Sequence, residues 1–149
     1  MDYCPGQDIC SYLDEESSFN EDKARFYICE LIAAIHALHK KGIIHRDLKP
    51  NNIMLDSSGH IKLIDFNLCK TGIRTSLQRT KSFCGTPAYM PPEMLGSHSY
   101  GKTLDWYLVG VILYEMIVGI PPHFEPDISK VHKNILKAKL KIPAECSEE

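Results

Sequence analysis

The sequence lacks the features that would indicate a zinc-binding, secreted or membrane-spanning protein. Its six cysteines include no C-x-x-C pair, so no zinc site is expected. His36 and His39 lie one helical turn apart, but we expect surface residues rather than metal ligands. No signal peptide is recognisable, which predicts reduced thiols and a cytoplasmic, intracellular location. The most apolar stretch, Leu104 to Val118, is short and carries Asp105 and Glu115, which predicts a buried helix and no membrane span.

Strong net charge, internal repeats and low-complexity segments are also missing. The formal net charge is -2, so bulk electrostatic attraction to nucleic acid is not expected. Hydrophobic residues make up 44% and charged residues 24% of the chain, which is typical of a soluble globular domain. The 149 residues are enough to form one domain with its own hydrophobic core.

Apolar periodicity predicts a mainly α fold with short β-hairpins, an α+β class. Apolar residues recur every three or four positions from Ala24 to Leu38, which predicts a helix capped by Asn20 and ending near Lys40. Further helices are predicted at 7–13, 102–118 and 128–139, a short strand at 43–44 and a long loop at 70–90. A hairpin is predicted from 52–55 and 61–64 around a turn at 56–59.

The polar segment at 45–52 is the most informative part of the chain. It reads His45-Arg46-Asp47-Leu48-Lys49-Pro50-Asn51-Asn52, which follows the pattern H-R-D-L-x-x-x-N. At this spacing an Asp can accept the proton of a substrate hydroxyl and a Lys two residues later can lie against a transferring phosphate. An Asn five residues after the Asp can hold a metal ion from the same loop.

Further motifs follow this loop in a fixed order. Asp65-Phe66-Asn67 comes after the apolar run at 61–64, followed by the segment Ser82-Phe83-Cys84-Gly85-Thr86-Pro87-Ala88-Tyr89 and by Pro91-Pro92-Glu93. The whole series resembles the C-terminal lobe of a eukaryotic serine/threonine protein kinase of the AGC group, from the hinge onward. The resemblance covers residues 1–149 and implies a partial protein kinase domain without the N-terminal β-lobe and the last helices.

The resemblance implies a reaction and a role for each matched residue. The reaction would be transfer of the γ-phosphate of ATP to Ser or Thr hydroxyls of protein substrates. Asp47 would accept the proton of the substrate hydroxyl, Lys49 would offset charge on the phosphate, and Thr86 would bond to both. Asn52 and Asp65 would bind Mg²⁺ through oxygen atoms.

The resemblance also implies where the nucleotide and the substrate would bind. The backbone of Asp2 and Cys4 would contact adenine, Asp8 the ribose, and Met54 the face of the base. For Met54 an ordinary core position is an equal alternative. Asp8 and Glu115 match acidic positions that recognise a basic residue upstream of the phosphoacceptor.

Ser82 matches the activation-loop phosphosite of the AGC kinases, which implies an upstream activating kinase. A phosphate there adds nearly two negative charges and can order the loop by pairing with Arg46 and Lys70. The alternative is an ordinary loop serine. Ser76 and Thr80 lie nearby, but Ser82 directly precedes the Phe-Cys-Gly-Thr-Pro segment.

The sequence departs from the family pattern in three respects. It contains no G-x-G-x-x-G segment and no strand Lys with a helix Glu partner, so we expect negligible kinase activity from these residues alone. Asn67 replaces the Gly of D-F-G, and because Asn tolerates positive φ we expect the turn to survive. No Arg follows Arg79, so Glu93 is expected to be unpaired and part of the apolar surface uncovered.

Two alternative functions stay open. The chain could be a non-catalytic, kinase-derived binding or regulatory module, that is, a pseudokinase fragment. A metal-dependent phosphatase or nuclease built on Asp47 and Asp65 has no support beyond two carboxylates. The presence together of five chemically matched side chains favours the enzyme: Asp47, Lys49, Asn52, Asp65 and Thr86.

Overall fold

The computed structural model describes residues 4–75, 77–96, 98–142 and 146–147. The helices are α1 (Ile9–Glu16), α2 (Glu21–Lys40), α3 (Pro92–Leu95), α4 (Thr103–Val118) and α5 (Ile128–Lys137), and the strands are β1 (Ile53–Leu55) and β2 (Ile61–Leu63). Single 3₁₀ turns lie at Pro50–Asn52, Phe66–Leu68 and Pro87–Tyr89. The prediction of a mainly helical α+β fold with a short hairpin is confirmed.

Helix α2 begins where the sequence predicts, because its N-terminus is capped locally. The side chain of Asn20 accepts a hydrogen bond of 2.9 Å from the backbone N–H of Lys23, which satisfies one of the free donors at the helix start. Glu21 and Asp22 place negative charge beside the positive end of the helix dipole. Gly42 follows the helix with φ 73°, a conformation that favours glycine.

Helix α4 is the central element, and helix α2 packs against it. Residues on most sides of α4 are buried, so it is a core helix rather than an amphipathic surface helix. The helix stops at Gly119, which adopts φ 88°. A Cβ atom there would lie 2.1 Å from the Ser17 carbonyl oxygen, so the chain can pass only with glycine.

The hairpin supports the segment that precedes α1. Strands β1 and β2 are antiparallel with Met54 opposite Lys62. The backbone N–H of Gly6 donates to the Leu55 carbonyl oxygen at 3.1 Å, and the N–H of Leu55 donates to the Gln7 carbonyl oxygen at 3.1 Å. A Cβ on Gly6 would lie 2.5 Å from the Leu55 oxygen, so this close approach requires glycine.

Several element boundaries differ from the predictions; α1, for example, extends to Glu16, three residues beyond its predicted end. Helix α1 begins at Ile9 because Asp8 caps it, two positions after the predicted start. Residues 43–44 do not form a strand; Ile44 makes a single antiparallel bridge to Lys70. Helix α5 ends at Lys137, two residues before the predicted end.

The hydrophobic core joins α1, α2, α4 and the loop at 45–52, named the catalytic loop after the motif that it matches. Its fully buried members include Ile9, Leu31, Ile35, Ile44, Leu48, Ile53, Leu104, Ile112 and Met116. Leu48 lies inside the polar motif, so the loop is attached to the core through its own apolar side chain. In the described ranges no helix combines the length and the apolar character needed to cross a bilayer.

Candidate active site

The backbone of the catalytic loop is held by a buried carboxylate of α4. Asp105 is fully buried. One of its oxygens accepts a hydrogen bond of 2.9 Å from the N–H of His45, and the other accepts one of 3.0 Å from the N–H of Arg46. Arg46 adopts φ 74°, which is unusual for a non-glycine residue. The carboxylate therefore holds the loop in a backbone conformation that the chain would not adopt alone.

His39 is the third partner of Asp105, and the expectation that it lies on the surface is wrong. Its Nε2 atom lies 2.7 Å from an Asp105 oxygen, and its side chain is 6% exposed. The ring packs edge-on against Trp106 with 5.3 Å between the centroids. The periodicity of α2 already contained this signal, since His39 continues the buried stripe of Leu31 and Ile35 at a four-residue step.

Asp47, Lys49 and Thr86 meet in one hydrogen-bonded group. The Lys49 ammonium donates to the Thr86 hydroxyl at 3.0 Å, and that hydroxyl donates to Asp47 Oδ1 at 2.9 Å. The Lys49 nitrogen also lies 3.3 Å from Asp47 Oδ2. An ammonium only donates and a carboxylate only accepts, so the hydroxyl between them must do both.

Gly85 brings Thr86 to the catalytic loop. Its φ of 107° is suited to glycine, and a Cβ there would lie 3.1 Å from the Arg46 carbonyl oxygen. The chain can therefore run close to the loop backbone immediately before Thr86. This local requirement explains why a glycine precedes the threonine.

Asn52 closes the other side of Asp47. Its side-chain nitrogen donates to the Asp47 carbonyl oxygen at 2.7 Å and lies 3.3 Å from Asp47 Oδ2. The backbone N–H of Ile64 donates to the Asn52 carbonyl oxygen at 3.0 Å. This bond places Asp65, the next residue, beside the catalytic loop.

Asp65 is exposed and has an unusual backbone conformation, with φ 58° and ψ 71°. Its carboxylate accepts from the N–H of Asn67 at 3.4 Å, a long contact. The positive φ of this turn thus belongs to Asp65, while Asn67 lies within the 3₁₀ turn and has no positive φ. The turn survives without the special backbone conformation that we expected of Asn67.

Two of the residues assigned to the nucleotide lie at the hairpin edge. Asp8 forms an antiparallel bridge to Met54. Its carboxylate caps α1, accepting from the N–H of Ser11 at 3.0 Å and from the Ser11 hydroxyl at 3.1 Å. Met54 and Cys4 are half-buried. Asp2 lies outside the described residues.

Comparison with known proteins identifies the family. The protein kinase domain family matches residues 1–149. The chain belongs to the protein kinase family. It is 46% identical over 96% of its length to the serine/threonine-protein kinase Sgk2 of Homo sapiens, of which it covers 39%. It is 42% identical over 96% to a RAC family serine/threonine-protein kinase homolog of Dictyostelium discoideum, covering 32% of it.

A third relative is the serine/threonine-protein kinase gad8 of Schizosaccharomyces pombe, with 45% identity over 96% of the chain and 25% of the relative. The predicted resemblance to serine/threonine kinases of the AGC group is confirmed. The chain spans between a quarter and two fifths of the length of these relatives.

Asn52 in the catalytic loop and Asp65 beside it carry oxygen atoms of the kind that could hold a magnesium ion. Because Asn52 uses its side-chain nitrogen toward Asp47, its amide oxygen is directed elsewhere and is free to coordinate. Asp65 offers an exposed carboxylate. No group of three His, Cys, Asp or Glu side chains suited to a metal occurs among the described residues. A few protein oxygens suffice for Mg²⁺, which usually keeps water and substrate phosphate ligands.

Arg46 links the catalytic loop to the activation segment, residues 70–90. Its Nε donates to the Leu68 carbonyl oxygen at 2.5 Å, and its Nη1 donates to the Tyr100 hydroxyl at 3.1 Å. That hydroxyl donates to the Ser82 carbonyl oxygen at 2.6 Å. Ser82 and Lys70 are exposed, and the side chain of Lys70 has no hydrogen bond or ion pair within the described chain. No motif in the sequence singled out Tyr100.

Glu115, a residue of α4, contacts the end of the activation segment at Tyr89. It is 7% exposed, and one oxygen accepts a 2.7 Å hydrogen bond from the Tyr89 hydroxyl. The pKa of Glu115 is raised to about 7, mainly because the carboxylate is buried; the Tyr89 hydrogen bond lowers the pKa in part, and the charge of Asp14 raises it. Within the described ranges no cation pairs with it, and the side chain of Glu93 likewise has no hydrogen bond or ion pair there.

Proposed function

We propose that this chain carries the catalytic centre of a protein serine/threonine kinase, within a partial kinase domain at residues 1–149. The reaction is transfer of the γ-phosphate of ATP to a Ser or Thr hydroxyl of a protein. The observation that carries the proposal is the hydrogen-bonded group of Asp47, Lys49, Thr86 and Asn52. Phosphoryl transfer depends mainly on positioning and charge, which this group is arranged to provide.

Asp47 is the proton acceptor in this proposal. One oxygen accepts from Thr86, and the other lies near both Lys49 and Asn52, so the carboxylate is fixed in orientation. It can hold the substrate hydroxyl in line and take its proton as the new O–P bond forms. Lys49 is close enough to place its positive charge beside the same reacting oxygens.

Asn52 and Asp65 would hold Mg²⁺ with the phosphates of ATP. The cation supplies charge neutralisation to the phosphate oxygens. Adenine would lie along the hairpin edge, with Cys4 and Asp2 contributing backbone groups, Asp8 facing the ribose and Met54 facing the base. Asp8 already uses both oxygens to cap α1, so a ribose contact would share them.

Glu115 supports a preference for substrates with a basic residue upstream of the phosphoacceptor. A buried carboxylate without a cation is unfavourable, and an incoming guanidinium would supply the missing charge. Asp8 is a second acidic group for such a residue. Ser82 would be phosphorylated by an upstream kinase and would then pair with Arg46 and Lys70. A cytoplasmic location belongs to the same proposal.

The test uses the complete product of the gene. The purified protein is given radiolabelled ATP, Mg²⁺ and a serine peptide with upstream arginines, and transfer to the peptide is measured. Asp47→Asn should reduce kcat by about 10²- to 10⁴-fold, since it removes the proton acceptor. The matched control is Asp22→Asn, because Asp22 is exposed and, among the described residues, pairs only with Arg25 on the helix surface.

The alternative function predicts a different pattern. A non-catalytic binding module would bind the peptide without magnesium and without a change on Asp47→Asn. Absence of transfer by the complete protein, together with peptide binding that does not depend on nucleotide, would refute the proposed activity.

A further inference from the structure

Tyr100 is a buried residue that the proposed chemistry does not use, yet its hydroxyl joins two parts of the site. The residue is 2% exposed. The hydroxyl donates to the Ser82 carbonyl oxygen at 2.6 Å and accepts from Arg46 Nη1 at 3.1 Å. A guanidinium only donates and a carbonyl only accepts, so the direction of both bonds is fixed. A side chain here must both accept and donate to satisfy the two partners.

The backbone of Tyr100 holds the same segment a second time. Its N–H donates to the Thr80 carbonyl oxygen at 3.0 Å, and the N–H of Thr80 donates back to the Tyr100 carbonyl oxygen at 2.8 Å. One residue therefore fixes the activation segment at Thr80 through the main chain and at Ser82 through the side chain. We call these contacts the Tyr100 clamp.

The guanidinium of Arg46, which contacts the Tyr100 hydroxyl, is already held in one orientation. Arg46 donates from Nε to the Leu68 carbonyl oxygen, so its guanidinium is held on two sides. It has five N–H donors, and these contacts leave further donors for another acceptor. Ser82, Lys81 and Phe83 are exposed, so contacts on the inner side hold this part of the segment.

We propose that Tyr100 is a positioning residue that holds the Ser82 backbone beside Arg46 before any phosphate is added. A phosphate on Ser82 then meets a guanidinium that is already in place, and little ordering is left for the modification to bring about. This regulatory consequence rests on the proposed function, in which Ser82 is the phosphosite.

Limited proteolysis with trypsin tests the clamp in the unmodified protein. Tyr100→Phe keeps the ring in the core but leaves the Ser82 carbonyl and an Arg46 N–H without this partner. Cleavage after Arg79 and Lys81 should become about tenfold faster, which corresponds to about 1.4 kcal/mol in the opening equilibrium. Equal cleavage rates in wild type and Tyr100→Phe would overturn the clamp.

The matched control is Tyr107→Phe. Tyr107 is a half-buried tyrosine of α4 whose hydroxyl has no hydrogen bond within the described chain. Its cleavage rate should equal that of wild type. An equal acceleration in both variants would show general loosening, and that result would also overturn the clamp.

Phosphorus NMR tests the positioning role directly. Phosphoserine is incorporated at position 82, and its second ionisation, about pH 6 when unpaired, is followed by ³¹P shift. Pairing with Arg46 should lower this pKa in wild type, and both Tyr100→Phe and Arg46→Gln should raise it. The same pKa in wild type and Tyr100→Phe would overturn the positioning role.

These measurements need no phosphoryl transfer, so they are independent of the activity test. Loss of transfer with a normal ³¹P titration would refute the kinase proposal and leave the clamp standing. Should Tyr100→Phe not fold, the wild-type hydroxyl proton is measured instead, through the deuterium isotope shift on the tyrosine Cζ. Slow exchange at Tyr100 but not at Tyr107 supports the clamp, and fast exchange at both overturns it.

Discussion

Helix α4 contacts the two loops of the site through two buried carboxylates that differ in how well they are satisfied. Near the start of the helix, Asp105 lies within hydrogen-bond distance of three groups: the His39 ring and the backbone N–H groups of His45 and Arg46. Near the end, Glu115 accepts from the Tyr89 hydroxyl, and the described residues provide no further hydrogen bond to it. The first carboxylate holds the backbone of the catalytic loop, and the second contacts the end of the activation segment at Tyr89.

The two carboxylates show that the number of hydrogen-bond donors, and not burial alone, determines how well a buried carboxylate is stabilised. Donors stabilise the ionised form and compensate for lost water. With one hydroxyl, burial dominates at Glu115 and raises its pKa to about 7. We therefore interpret Asp105 as a permanent anchor, whereas Glu115 would be completed by the substrate cation proposed above.

The largest effect is expected from removing the permanent anchor. Asp105→Asn keeps the shape of the side chain, but the amide nitrogen cannot accept, so one of the buried donors loses its partner. The free energy of unfolding should fall by about 3 kcal/mol, measured by urea denaturation. The exposed Asp22→Asn should change it by less than about 0.5 kcal/mol. Equal stabilities for both variants would contradict the anchoring role.

The second prediction concerns the pH dependence of Glu115. Its folded-state pKa is about 7, above the value of about 4.3 for Glu in an unfolded chain. The folded state binds the extra proton between these values, so this stabilisation is full below about pH 4.3 and is lost as pH rises through 7.

Glu115→Gln should remove this slope and make the protein about 2 kcal/mol more stable than wild type at pH 8, because no charge is then buried. The measurement is urea denaturation at pH 5 and pH 8. Exposed Glu15→Gln should keep the wild-type slope. A parallel pH profile for Glu115→Gln and wild type would show that Glu115 is not the titrating group.

A smaller effect is expected from the contact between the two loops. Thr86→Val removes the hydroxyl between Lys49 and Asp47 while keeping the side-chain shape. The free energy of unfolding should fall by about 1 kcal/mol, because the site is partly open to water. Thr71→Val is the control, since Thr71 is exposed. A loss as large as that of Asp105→Asn would mean that both loops depend equally on internal anchors.

The sequence predicted the parts of the fold that local rules determine. The start of α2 follows from Asn20 and the end of α4 from Gly119, and neighbouring residues determine both. The resemblance to the kinase family also predicted that Thr86 would bond to Asp47 and Lys49, because the family pattern links positions far apart in the chain. Periodicity alone could not have joined Thr86 to the loop.

Contacts set by tertiary packing were not predictable in this way. His39 was expected on the surface because histidine is polar. Its four-residue step from Ile35 indicated burial, but only the packing of α2 on α4 makes it the partner of Asp105. Tyr100 lies in a turn-rich stretch, and no sequence pattern distinguishes it from other aromatic residues. Its role depends on Arg46 and Ser82, which reach it only in the folded chain.

The smallest effect on stability is expected at Lys70. Its substitution should have different consequences in the unmodified and in the phosphorylated protein. Its exposed side chain has no hydrogen bond or ion pair in the described chain, so Lys70→Ala should change the stability of the unmodified protein by less than about 0.5 kcal/mol. With phosphoserine at 82, the same substitution should raise the pKa of the phosphate, because one of its proposed cationic partners is gone. The control is Lys81→Ala: Lys81 is also exposed and adjoins Ser82 but is not a proposed partner. An equal rise in the phosphate pKa for both variants would mean that the loss of any nearby positive charge has this effect. A rise confined to Lys70→Ala would show that the phosphate brings Lys70 into the site.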